Sequence, residues 1–128
     1  MCIRDSFALS VDASGKILGQ VRDKARGWVS TMGQSQLPLR QWRHIVLTAD
    51  GESLKLYEDG QMVSLTNCSA MSGVNVEAMW FGTNSKGTAL WNGRIDELAI
   101  FDKSLSDAEV NALFRTAVEQ VTPVPKNQ

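Results

Sequence analysis

Histidine is nearly missing from this chain, and cysteine is scarce: 128 residues hold one His and two Cys. A single imidazole, His44, cannot supply a His-rich zinc centre or a histidine pair, and a structural role is expected for it. Cys2 and Cys68 would close one very long loop from the terminus, so free thiols are expected in place of a disulfide framework. Charge of one sign is missing too. Thirteen basic and fourteen acidic residues leave a formal charge of -1, and no two Lys or Arg are adjacent. The convergent cations of a nucleic-acid or anionic-membrane surface are therefore not expected. No apolar run approaches the roughly 20 residues needed to cross a bilayer, so no membrane insertion is expected. Met1 to Asp5 lack the basic and apolar regions of a signal peptide. A phosphate-cradling GxGxxG or Walker run is also missing, which leaves a nucleotide cofactor unsupported.

What is present is enough for one folded domain. Hydrophobic residues make up 43% and charged residues 21%, away from the polar, highly charged composition of disorder. The first hundred residues read as short β segments punctuated by Gly and Asp turns. Phe7, Leu9 and Val11 alternate with Ala8 and Ser10, and Asp12-Ala13-Ser14-Gly15 turns the chain into a strand from Ile17 to Arg22. Trp28 and Val29 lie in another strand, and Pro38 places Leu37 to Arg40 in a loop. From Trp42 to Ala49, Trp42, His44, Val46 and Thr48 share one face while Ile45, Leu47 and Ala49 share the other, which predicts an interior strand covered on both sides.

Asp50-Gly51 and Asp59-Gly60 then predict a meander through Leu54 to Tyr57 and Met62 to Leu65. Further strands are expected at Val76 to Gly82, at Ala89 to Trp91 and, after Asn92-Gly93, at Arg94 to Phe101, for eight or nine in all. Only afterwards does the period become helical. Ser106 and Glu109 form a capping box, Leu105 is its staple, and Val110, Leu113 and Phe114 give an amphipathic helix from about Asp107 to Arg115 that caps a sheet edge or end. The domain is expected to span 6–117, and the proline-bearing residues 118–128 read as tail or linker.

The ordered series Gln41-Trp42-Arg43-His44-Ile45-Val46-Leu47-Thr48, Asp50-Gly51, Leu54-Lys55-Leu56-Tyr57-Glu58-Asp59-Gly60, Phe81-Gly82, Trp91-Asn92-Gly93-Arg94-Ile95-Asp96-Glu97-Leu98-Ala99-Ile100-Phe101 and Leu105 to Val110 resembles the concanavalin A-like lectin/glucanase superfamily, and within it laminin G-like, pentraxin-like modules. The likeness covers about Phe7 to Phe114. It implies an all-β antiparallel jelly-roll sandwich that binds carbohydrate or protein as part of a larger secreted or cell-surface protein. Complete members begin with several strands before the position of Phe7, including one that pairs near Ile95 to Phe101. Without them a sheet edge is expected to lie open, so that either a homo-dimer forms through it or strands re-pair within the chain.

Candidate sites follow. Carbohydrate binders place flat rings at exposed loops while sandwiches also use them as core wedges, so Trp28, Trp80 and Trp91 read as core or, with Asn84, as the ligand-binding candidates; Trp42 is expected in the core. Because some members of the resembled family hold calcium through loop oxygens, Asp12, Asp50, Asp59 and Asn84 are its candidates, and no other cofactor is expected. Adjacent Asp96 and Glu97 point to opposite faces of a strand and cannot flank one glycosidic bond; Asp96 is expected to accept backbone hydrogen bonds or to pair with Arg94. No acid pair, triad or metal cluster emerges, so the expected function is a non-catalytic carbohydrate-binding or adhesion module, the alternative being a structural or protein-interaction domain. A glycoside-active enzyme fragment is disfavoured.

Overall fold

A computed structural model describes residues 7–23, 26–69, 81–83, 86–88, 90–101 and 103–121. Among them six strands and one helix occur in the order β1 (Phe7–Val11), β2 (Ile17–Asp23), β3 (Gly27–Met32), β4 (Ile45–Ala49), β5 (Ser53–Glu58), β6 (Gln61–Asn67) and α1 (Asp107–Val121). They make two antiparallel three-stranded sheets, β1-β2-β3 and β4-β5-β6.

Alternation decides which side chains meet. Ile17, Gly19, Val21 and Asp23 of β2, with Val29 and Thr31 of β3, turn inward and are buried. They face Leu47, Ala49 and Leu54 of the second sheet, and Val21, Val29, Leu54 and Cys68 form one buried cluster with Phe7, Leu47 and Ala49 packed against it. Each fully buried Val or Leu contributes about 1.5–3 kcal/mol. Gly19 lets the sheets approach closely: a Cβ there would lie 2.4 Å from Leu47 Cδ1, so the missing methyl is the space that Leu47 fills. Along the other margin Gln34 Nε2 donates to the Val63 carbonyl at 2.9 Å, and the Thr31 and Ser64 hydroxyls are hydrogen-bonded.

The second sheet is covered on its outer face as well. Val46 and Tyr57 point away from the first sheet and pack with Leu105 and Val110, where the helix begins. Ser106 Oγ accepts the Glu109 amide at 3.2 Å and Glu109 Oε1 accepts the Ser106 amide at 3.3 Å, while Leu105 meets Val110 as the apolar staple. The Tyr57 hydroxyl donates to the Asp107 carboxylate in the first helical turn. Farther along, Phe114 and Asn111 cover the β5–β6 turn at Gly60. The helix thus lies on a sheet face and over one end, and it runs to Val121, beyond Arg115 and into residues that composition assigned to a tail.

The turns are chemically specific. Asp59 and Gly60 have φ of 51° and 81°, the paired positive values of a type I′ hairpin turn. At the β1–β2 turn Asp12 Oδ1 accepts the amides of Ser14 and Lys16, both at 2.9 Å. At the β4–β5 turn Asp50 Oδ1 accepts those of Glu52 and Ser53, at 2.9 and 2.8 Å.

Several expectations are corrected. The strand predicted from Trp42 begins only at Ile45, and among the described strands β4 pairs with β5 alone, with apolar side chains packed on both its faces. Trp42 is 55% exposed instead of core. Arg94 to Phe101 forms no strand: Ile95, Leu98, Ile100 and Phe101 are each about half exposed, and Glu97 takes φ of 51°. Six strands occur among the described residues, against eight or nine expected of the whole chain. Of the hairpin expected around Asn84 to Gly87, the described part is one antiparallel bridge, Thr83 to Leu90, with the Trp91 amide donating to the Gly82 carbonyl at 2.7 Å. Most of the strand predicted at Val76 to Gly82 lies outside the described residues.

Candidate functional site

The outer face of the first sheet carries the most coherent candidate surface. Register places Arg22 opposite Trp28, Gln20 opposite Ser30 and Leu18 opposite Met32. These residues alternate with the buried Gly19, Val21, Val29 and Thr31, so all six project from the solvent side of β2 and β3. Trp28 is half-buried against the sheet, Ser30 and Met32 are exposed, and Gln20 Nε2 donates to Ser30 Oγ at 3.1 Å. A tryptophan and a methionine thus flank an amide–hydroxyl pair along one strip of the sheet. Trp28 to Met32 spans four residues of one strand, about 13 Å at the usual rise.

The other ring candidates do not join this surface within the described residues. Trp91 is 41% exposed and lies against Gly93, where a Cβ would come within 2.9 Å of its Nε1. Trp80 and Asn84 lie outside the described residues. Trp42, expected in the core, is the more exposed ring.

The carboxylates serve the frame. Asp12, Asp50 and Asp59 sit in three separate turns with their oxygens directed at nearby donors. Hydrogen bonds from the Ser14 side chain and the Lys16 amide hold the Asp12 carboxyl below the usual range, and the Glu52 and Ser53 amides do the same for Asp50. Asp59 clasps the entry to β4: its Oδ1 accepts the His44 amide at 3.0 Å, its own amide donates to the His44 carbonyl at 2.8 Å, and Oδ2 pairs with Arg43. Among the described residues no three His, Cys, Asp or Glu side chains converge, and Asp12, Asp50 and Asp59 each serve their own turn, while Asn84, the fourth calcium candidate, lies outside the described residues.

His44 stacks in a tilted contact with Phe114, ring centroids 5.9 Å apart, and its Nδ1 is buried with no partner among the described residues. Because Ile45 pairs with Glu58, His44 and the Glu58 side chain project from opposite faces of the sheet and cannot act on one bound atom. Asp96 accepts the amide of Glu97 at 2.8 Å in the exposed segment. Sequence reasoning missed Asp23. Its buried carboxylate accepts the Ser69 amide and hydroxyl and the Arg26 amide, tying the end of β2 to the chain leaving β6. The signal was available, since Asp23 continues the inward series Ile17, Gly19, Val21. Beside it, burial and the Asp23 charge raise the Cys68 thiol above its ordinary pKa.

Two facing antiparallel sheets closed by one late helix define a β-sandwich with no catalytic constellation among the described residues. The family model described as "Concanavalin A-like lectin/glucanases superfamily", a laminin G-type model, matches residues 4–111, and the chain belongs to that family. No curated protein is similar enough to add a relative. Among solved structures, the chain is similar to a 2.1 Å crystal structure of an S-layer domain-containing protein, residues 221–444, from Clostridium thermocellum ATCC 27405. The identity is 22% and the TM-score 0.56, over 88% of this chain and 58% of that one, a likeness of fold.

Proposed function

We propose that the chain is a non-catalytic recognition module that binds carbohydrate through the outer face of its first sheet, as part of a larger secreted or cell-surface protein. The observation that carries this is an asymmetry between the sheets. Helix α1 occupies the outer face of the second sheet, whereas the first keeps Trp28, Gln20, Ser30 and Met32 half-buried or exposed on its solvent side. An indole lying along a sheet offers an apolar platform to the C–H face of a pyranose, and the neighbouring amide and hydroxyl offer hydrogen bonds to its oxygens. Family membership supports a binding role, and the S-layer domain-containing neighbour fits an extracellular setting.

The test is a glycan array probed with the purified protein and with Trp28→Ala, each with and without calcium. Binding by the parent and a loss of tenfold or more in the variant, about 1.4 kcal/mol, is expected. Absence of binding to any glycan would overturn the reading. It would favour a protein-interaction domain, for which the specific observation is the half-exposed apolar series Ile95, Leu98, Ile100 and Phe101. In that second reading this segment, or a sheet edge with no strand partner among the described residues, docks a protein or a second copy of the chain. Light scattering across a concentration series would then report a dimer.

A further inference from the structure

We infer that Asn92 is a site of spontaneous, self-catalysed deamidation, a covalent modification independent of the binding function proposed above. Three acidic or amide residues in the described chain precede glycine: Asp50-Gly51, Asp59-Gly60 and Asn92-Gly93. The first two are locked. Asp50 Oδ1 accepts the Glu52 and Ser53 amides, and Asp59 accepts the His44 amide and pairs with Arg43. Gly60 is moreover buried beneath Phe114.

Asn92-Gly93 is a different case. Both residues are exposed and in neither strand nor helix. Gly93 does not take the positive φ of a tight hairpin turn, so the dipeptide with the strongest hairpin preference is not used as one. Within the described residues neither the Asn92 side chain nor the Gly93 amide has a hydrogen-bond partner, and glycine places no Cβ in the path between them.

The step needs only water. The Gly93 amide nitrogen, losing its proton, attacks Asn92 Cγ. The new N–Cγ bond closes a five-membered imide as the Cγ–Nδ2 bond breaks and ammonia leaves. Water then opens the ring at either carbonyl, giving aspartate or, with the backbone rerouted through the side chain, isoaspartate. Either product adds one negative charge beside Trp91, in a segment where Arg94, Asp96 and Glu97 are already exposed.

The protein supplies its own controls. Asn67 is paired with Ser53 in β6 and is followed by Cys68, whose amide donates to the Glu52 carbonyl at 3.0 Å; Asn111 lies inside α1. The experiment is incubation of the intact folded protein in mildly alkaline buffer, followed by proteolysis, mass spectrometry and labelling with an isoaspartyl-specific methyltransferase. Expected is a gain of about one dalton with isoaspartate on the peptide between Lys86 and Arg94, rising with time and slower in mildly acidic buffer, with Asn67 and Asn111 unmodified. Gly93→Ala should slow it. Because that Cβ would meet the Trp91 ring, Asn92→Gln is the second variant, and it should abolish the isoaspartate label on this peptide. An unmodified Asn92, or conversion no faster than at Asn67 and Asn111, overturns the inference.

Discussion

Replacing Tyr57 with Phe removes a hydroxyl that joins the second sheet to the helix. The ring is 1% exposed and packs with Leu105 and Val110, and phenylalanine keeps that packing. What is lost is the hydrogen bond to the Asp107 carboxylate, together with a side-chain hydrogen bond to Thr48. A hydrogen bond to a charged group contributes about 1.5–3 kcal/mol. Asp107 is exposed and can be rehydrated, which puts the expected loss near the lower figure.

The pH dependence makes this prediction specific. Burial, and then the neighbouring Asp107, push the Tyr57 phenol from 10.0 up to about 12. The unfolded chain therefore releases this proton first as pH rises. The stabilisation is complete below about pH 10 and is lost as pH climbs to about 12, a change of roughly 2–3 kcal/mol. Denaturant titrations followed by tryptophan fluorescence, run on both proteins from neutral to strongly alkaline pH, read it directly. Lysines titrate in both and cancel in the difference. The gap between parent and Tyr57→Phe should be about 1.5 kcal/mol at neutral pH and should close, then reverse, across the phenol's range. Equal stability at neutral pH, or a gap that ignores alkaline pH, refutes the latch between sheet and helix.

Gly60→Ala should destabilise by about 1–3 kcal/mol in the same assay, because φ is +81° and the new Cβ would stand 2.9 Å from Phe114 Cδ1; a neutral result would mean that α1 does not cover this turn. The carboxyls of Asp12 and Asp50 should titrate by NMR with midpoints below 3.8, since each is held by hydrogen bonds to its ionised form. For such depressed groups the stabilisation is present above about pH 4 and falls away as acid protonates the folded state. Midpoints at or above 3.8 would mean that the carboxylates do not hold these turns.

Local chemistry was legible in the sequence where a few adjacent residues complete a structure by themselves. Asp59-Gly60 satisfies a type I′ turn alone, and Ser106, Glu109 and Leu105 complete the helix start without distant partners. Alternation reaches less far. It predicts that a segment such as Arg94 to Phe101 could pair, but pairing needs a second strand, and in this fold the segment has none among the described residues. Trp42 failed for a related reason: its side-chain parity matches Val46, yet the ladder to β5 begins only at Ile45, so parity starts to mean burial three residues too late for the indole. Trp28 was recognisable as a candidate ring. Its companions Arg22, Gln20 and Ser30 were not, because only the β2–β3 register brings them level with it.

The same register explains why the outer faces of the two sheets differ in character. Each sheet has to bury one face, and both do so against each other through Val21, Val29, Leu47 and Leu54. The outer parity of the second sheet includes Val46 and Tyr57, apolar surface that favours covering, and α1 supplies the cover through Leu105 and Val110. On the first sheet the outer parity reads Leu18, Gln20 and Arg22 against Met32, Ser30 and Trp28. Burying that face beneath a helix would strand the Gln20 amide and the Arg22 guanidinium away from water, at a cost of several kcal/mol unless every donor found a partner. The mixed polar and apolar outer parity of the first sheet, with Ser30 and Met32 exposed and Leu18, Gln20, Arg22 and Trp28 half-buried, is what the proposed carbohydrate site rests on.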